Sequence, residues 1–335
     1  MRVAQARTKV RHMPDDQPPF LKPLLDELRA GGPYQSDDDL QRAAERLGHA
    51  YNARPQAELG GLSPNQLREV LNADWSSPDS AVQLNDALSL DDLGGAPMFA
   101  DARTILDYVA AHGPLKETAA HNLSRAAVAA ICPRLELVRE MEGDKYGEGL
   151  APTIVNEGDV YWLLLLRYVL MFAGLIRRHK GFRITARGRE LLRDDRAGEL
   201  FALLFRTLFR KFDMQSMDMM DQPALQATAA YSLYRLSSCA AEWSSSERLA
   251  SLAWLETAMD PVTPLEAQLG IDLRYFAFRN RILLMLVAFG LLDERVLPTM
   301  DVLRRPTEYR VKPLYRQFVR FRFSPNAGPG LALVP

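Results

Sequence analysis

A mainly α-helical fold carrying small β-hairpins follows from three features of this sequence. Apolar residues recur at helical spacing in many segments, as with Leu24, Leu25 and Leu28, or Ile105, Leu106, Tyr108 and Val109. Capping and breaking residues stand at the ends of those segments. Strand-like pieces are few and short. The clearest stretch is 160–192, VYWLLLLRYVLMFAGLIRRHKGFRITARGRELL. Its apolar helix reaches Gly174, a basic segment turns back through Lys180–Gly181, and an amphipathic helix begins near Ala186.

That outline is a winged helix, and a second copy follows near the C-terminus. Ala173-Gly174-Leu175-Ile176 aligns with Phe289-Gly290-Leu291-Leu292, each ending an apolar helix. Phe182-Arg183-Ile184 matches Tyr309-Arg310-Val311, Arg189 matches Arg316, and Leu191-Leu192 matches Phe318-Val319. A hairpin of this kind packs its alternating apolar residues on the helices and leaves the intervening basic ones in water. The second copy has a longer hairpin, containing Leu297–Pro298 and Arg304–Arg305–Pro306. The expectation is a helical protein with two winged-helix-like units, since repeating a small unit is a natural way to build 335 residues.

In order, residues 1–19 read as a loose basic, then acidic and proline-rich arm. An N-terminal helical region covers 20–95. Its first helix spans 21–29 and ends at Gly31–Gly32–Pro33. Ser36 caps the next, with Asp37, Asp38 and Asp39 opposing the positive end of the helix dipole, so the triple Asp reads as capping rather than metal binding. Gly60–Gly61 makes a turn, Ser63 caps again, and Pro64 takes the first helical position, where its missing N–H costs nothing. Gly94–Gly95–Ala96–Pro97 marks a boundary. A helix-turn-helix-like unit at 96–150 has helices at 99–111 and 122–131, with Leu115 to Thr118 able to pair as a short strand. The first winged-helix-like unit covers 151–212 and ends in an apolar helix over 200–212, with Arg206, Arg210 and Lys211 on its polar side. A helical region at 213–270 follows, then the second unit at 271–323 and a tail at 324–335.

Composition excludes several functions. Formal net charge is -1, so attraction to nucleic acid must come from local patches. Cys132 and Cys239 stand far apart without a CxxC partner, which excludes a disulfide scaffold and a thiolate zinc site and fits a reducing cytoplasm. Arg2, Arg7, Lys9 and Arg11 precede no apolar run, so the start is not a signal peptide. The apolar window 160–176 holds Arg167 in its middle, which costs about 2.5–3.5 kcal/mol on membrane insertion scales. A packed helix, and no membrane partner, is expected. The histidines are scattered, and no HExxH, phosphate loop or GxSxG elbow is present. The GDKYGEG run at 143–149 reads as a turn. The Met- and Asp-rich segment 213–221 reads as core filling rather than a metal site. No catalytic residue, cofactor or metal is assigned.

The two hairpins are the candidate sites. Arg177, Arg178, Lys180, Arg183 and Arg187 mark the first, and Arg304, Arg305 and Arg310 the second. Such cations track phosphates, each neutralised phosphate adding salt-dependent affinity. The helix before each hairpin, YWLLLLRYVLMFAG and RNRILLMLVAFG, offers almost no polar side chain to a base edge, so contact by hairpin and backbone is expected rather than base reading. Both helices read as core, which leaves a helical protein-interaction or scaffold module as the alternative.

The segments HAYNARPQAELGGLSPNQLREVLNADWSSPDSAVQLND, GPLKETAAHNLSR and GLIRRHKGFRITARGREL together resemble uncharacterised bacterial helical proteins. Those are related to the regions accompanying the plasmid open-reading-frame-three-like, or TnpR passenger, family. The resemblance implies a fold and a bacterial, mobile-element setting, and no activity. YNARPQAELGGLSP is similar to the last residues of integrase cores, but nothing before Tyr51 supplies the strand context of their acidic triad, so integrase activity is not expected. GLIRRHKGFRITARGREL is similar to the ending of many bacterial winged-helix regulators. The sequence reading is therefore a cytoplasmic, non-enzymatic, regulator-like binding protein.

Overall fold

Caps and apolar runs become helices in a computed structural model that describes residues 22–142, 155–218, 220, 222–258, 272–298 and 306–323. The architecture is mainly helical with small antiparallel sheets. The expected arm at 1–19, the tail at 324–335, the run at 143–149, and Arg304 and Arg305 lie outside the described residues. Two compact units divide the rest, one of residues up to Asn72 with Phe323, the other Ala73–Arg322.

The smaller unit holds α1 (Lys22–Ala30), α2 (Asp37–Ala53) and α3 (Pro64–Leu71). The Ser36 hydroxyl accepts from the Asp39 N–H at 3.1 Å, with all three aspartates in the first turn of α2. The triple Asp therefore caps a helix. Ser63 and Gln66 close a reciprocal capping box around Pro64. A small core of Leu28, Tyr34 and Ala43, joined by Leu40 and Leu47, holds α1 on α2.

The larger unit contains one arrangement twice. In the first copy α4 (Pro97–His112) is followed by Leu115, then α5 (Arg125–Ile131), α6 (Tyr161–Phe172), β2 (Ile176–Arg178) and β3 (Phe182–Ile184). β1 (Val82–Leu84) precedes them. Leu115 pairs antiparallel with Phe182, so β3 lies between Leu115 and β2. Two further helices follow, α7 (Ala186–Leu191) and α8 (Ala197–Arg210), then short helices α9 (Gln215–Asp218) and α10 (Pro223–Ala227). In the second copy the order is α11 (Ala229–Cys239), β4 (Ser244–Ser245) and α12 (Ser246–Ala253). A helix over 273–288 comes next, made of α13 (Leu273–Phe278), a π turn and α14 (Leu284–Ala288). β5 (Leu292–Val296) and β6 (Thr307–Val311) form its hairpin, and the strand order β4-β6-β5 repeats that of the first copy. α15 (Pro313–Phe318) and β7 (Val319–Phe321) end the unit, β7 pairing with β1.

Equivalent backbone bonds make the match physical. α6 and α14 both end in a left-handed glycine, Gly174 at φ 72° and Gly290 at φ 68°. The next N–H then reaches back over the last turn, Leu175 to the Leu170 carbonyl at 2.9 Å and Leu291 to Leu286 at 2.8 Å. Gly290 has a second constraint, because a Cβ there would collide with the Gly95 carbonyl of the loop before α4.

α8 is buried nearly all round. Phe201, Phe205 and Phe209 follow one another at four-residue spacing and so share a face. Phe201 meets Phe99 of α4 at 6.1 Å between ring centroids, and meets Phe289 and Phe318 at 5.5 and 4.5 Å. Phe205 meets the same two second-copy rings at 5.1 Å each, and Trp75 at 5.9 Å. Aromatic pairs add about 0.5–1.5 kcal/mol each beyond the area they bury. On the polar side, Arg206 donates to the Trp75 carbonyl at 3.3 Å, while Arg210 and Lys211 are exposed.

Two stability outcomes follow. Phe205→Ala is expected to cost about 3–5 kcal/mol, read as a drop in the denaturant midpoint. Asp101 on α4 is buried and accepts from the N–H groups of Glu136 at 2.7 Å and Leu137 at 2.9 Å. Burial pushes its carboxyl from 3.8 up to about 6, outweighing those two N–H bonds, which lower it. The folded state then holds the proton more tightly than the unfolded state. The stability that this group contributes is therefore fully present below about pH 4 and is lost as pH rises toward about 6, by at most about 1.4 kcal/mol per pH unit. Asp101→Asn is expected to remove that slope from denaturation midpoints taken across the range, and an unchanged slope would contradict the assignment.

Candidate nucleic-acid interface

The first hairpin gathers four of the sequence-predicted cations. β2 and β3 pair in the register Ile176 to Ile184, Arg177 to Arg183 and Arg178 to Phe182. Alternation then sends Ile176, Phe182 and Ile184 into the core and leaves Arg177 and Arg183 side by side on the outer face. Like charges directly opposite one another across a sheet are destabilising. Among the described residues no carboxylate pairs with Arg177, Lys180 or Arg183. Lys180 sits in the turn at φ 50°, exposed, beside Gly181 at φ 101°. The His179 N–H donates to the Gly181 carbonyl at 2.8 Å, and Arg183 Nε donates to the His179 carbonyl at 2.9 Å, which stiffens the tip.

Arg178 and Arg187 sit differently. Arg178 lies 3.8 Å from Glu117, whose other oxygen accepts from the Gly181 N–H at 3.1 Å. Glu117 thus ties the hairpin to the short strand-like segment before α5 and offsets one of its charges. Arg187 lies on α7 and donates to the Ala173 carbonyl, at the C-terminal end of α6, at 3.4 Å.

The second hairpin has the same backbone and a different charge pattern. Arg310 faces Asp293 across the sheet and pairs with it at 3.1 Å. Arg295 faces Glu308 and pairs at 2.6 Å. Both guanidinium groups lie over the Trp243 ring, at 4.7 and 4.4 Å from its centroid. Glu294 accepts from the Tyr309 hydroxyl at 2.8 Å and lies 3.4 Å from Arg279. Where the first hairpin sets arginine against arginine, the second sets arginine against carboxylate. Of its predicted site residues only Arg310 is described, and it is already partnered.

The third helix of each copy, α6 in the first and the helix over 273–288 in the second, reads from the sequence as core, and each buries an arginine. Arg281 is fully buried, paired with Asp218 and donating to the Met220 and Gln222 carbonyls. It therefore faces inward and holds the Met- and Asp-rich segment in place. Met214 of that segment is fully buried. Among the described residues no group of three or more His, Cys, Asp or Glu could hold a metal ion. Arg167 of α6 is buried against Glu157, which also accepts from the Leu123 N–H at 2.8 Å. That explains a cation in an apolar helix, and no described helix is long and apolar enough to cross a membrane.

α6 is not wholly core. Tyr168 and Phe172 are 36 % and 52 % exposed. They lie four residues apart, one turn from each other on the same face. Tyr161 and Leu164 continue that face and are half-buried. The spacing of Tyr161, Tyr168 and Phe172 was the signal in the sequence, hidden by apolar residues on every side of the helix.

A family model described as the Y4jL N-terminal domain matches residues 94–198. That span holds α4 through α7 and so contains the whole of the first copy, including its hairpin. No curated protein and no solved structure matches the chain.

Proposed function

We propose that this is a non-enzymatic, cytoplasmic bacterial binding protein built on two winged-helix-like units, of which the first contacts nucleic-acid backbone. The reading of the units rests on element order: helix, short strand, two helices and a hairpin, with the last strand in the middle of the sheet. The observation that carries the binding role is the facing pair Arg177 and Arg183, beside Lys180. A stiff hairpin that holds Arg177, Lys180 and Arg183 together with no carboxylate paired to them among the described residues is stabilised by an external anion, and a row of phosphates supplies several at once. The second unit serves as a brace, its hairpin charges satisfied internally by Asp293 and Glu308.

A second reading, a protein-interaction scaffold, is favoured by the exposed apolar residues of the third helices, Phe172 in the first copy and Phe276 in the second. The resemblance of the sequence to the TnpR passenger-related proteins supports a mobile-element setting for either role.

Nucleic acid binding measured by anisotropy between about 50 and about 200 mM salt separates the two. The expected result is a steep loss of affinity with salt. Arg177→Glu with Arg183→Glu should flatten the log–log slope by about 2, one for each phosphate no longer neutralised. Arg310→Gln should leave the slope unchanged. No binding at the lowest salt would overturn the nucleic-acid reading and leave the scaffold.

A further inference from the structure

The exposed rings of α6 adjoin the cationic hairpin through a single buried guanidinium. Arg167 lies 4.4 Å from the centroid of Tyr168 and 4.9 Å from that of Phe182. It is fixed by Glu157 and by an approach of Nη1 to the Met171 sulfur at 3.5 Å. Phe182 faces Arg178 across the hairpin. Tyr168 and the base of Arg178 therefore flank the same small core. At the other end of the face, Phe172 immediately precedes Ala173, whose carbonyl accepts from Arg187. Arg187 is thus held at the C-terminal end of the helix that carries the aromatic face.

The rings are also held in place. Buried Phe212 meets Tyr168 at 6.4 Å and meets Phe172 edge-on at 6.0 Å between centroids. Each ring is supported from one side while remaining open to solvent. Such a face cannot read duplex base edges, because it lacks the side-chain amides and cations that hydrogen-bond to them in a groove. Aromatic rings can instead stack on bases freed from a duplex, whatever their identity, while neighbouring cations hold the phosphates.

We propose that the first unit takes unpaired nucleic-acid strand, with bases stacked on Tyr168 and Phe172 and phosphates along Arg187 and the hairpin pair Arg177 and Arg183. This rests on the nucleic-acid reading above and specifies its substrate class. The aromatic face supplies affinity that does not depend on salt, and the hairpin supplies the part that does.

The test uses the full chain and three probes at equal salt: an oligothymidylate of about 16 nucleotides, an abasic strand of the same length, and a duplex of that sequence. The oligothymidylate is expected to bind at least about tenfold tighter than the abasic strand. Phe172→Leu and Tyr168→Leu keep apolar packing against Phe212 and remove the ring. Each is expected to cost about tenfold on the oligothymidylate and to leave the abasic strand unchanged, with the melting transition checked alongside. Equal binding of thymidylate and abasic strands by the unaltered chain would overturn the stacking proposal while leaving the backbone reading intact. Tighter binding of the duplex than of the single strand would overturn it as well. Failure of all three probes at low salt would overturn both, and would point to a protein partner on the same face.

Discussion

The larger unit depends on the ladder of rings along α8. Phe201 and Phe205 each touch Phe289 and Phe318 of the second copy, while Phe201 also touches Phe99 and Phe205 also touches Trp75 of the segments before and within the first. One helix therefore supplies a common core to two copies of a small motif. Each sheet is only two or three strands wide, so packing against helices supplies most of the core. The close approach of Gly290 to Gly95 shows how near the second copy's helix end comes to the first copy's opening loop.

Given that support, the copies share a backbone and part in their charges. Backbone hydrogen bonds set the hairpin shape, and side chains on the outer face are free to vary within it. In one copy the outer face holds facing arginines, and in the other it holds arginine–carboxylate pairs under a tryptophan. A self-neutralised face loses little by being left in water. Facing arginines gain from an anion, and in this the two hairpins differ.

Each third helix also buries one arginine, Arg167 in α6 and Arg281 in the π turn before α14. Removing a guanidinium from water costs several kcal/mol, which only a close carboxylate and further acceptors offset. Glu157 and Asp218 provide the carboxylates from segments that have no regular place in the repeat, and the Met220 and Gln222 carbonyls add acceptors for Arg281. In both copies the irregular connection is thereby fixed to the helix. In the first copy the same guanidinium also sits against Tyr168, so a buried charge shapes an exposed surface.

The sequence by itself determined the local structure, because caps, breakers and helical spacing act within a few residues. Ser36 and Ser63 cap where expected, Gly174 and Gly290 end their helices, and the alignment of Phe182 with Tyr309 is an alignment of equivalent strands. It also placed the cations of the first hairpin on its exposed side. Only the tertiary structure decided which charges remain available. Counting from Arg304 onward sets seven cations against Glu308, yet Asp293 and Glu294 arrive from the preceding strand. Arg281 turns inward only because Asp218, distant in sequence, meets it. Tyr168 and Phe172 stay in water because an apolar helix has more faces than its neighbours cover. Charge neutralisation and burial depend on which groups meet across space, and sheet register and helix packing fix those meetings.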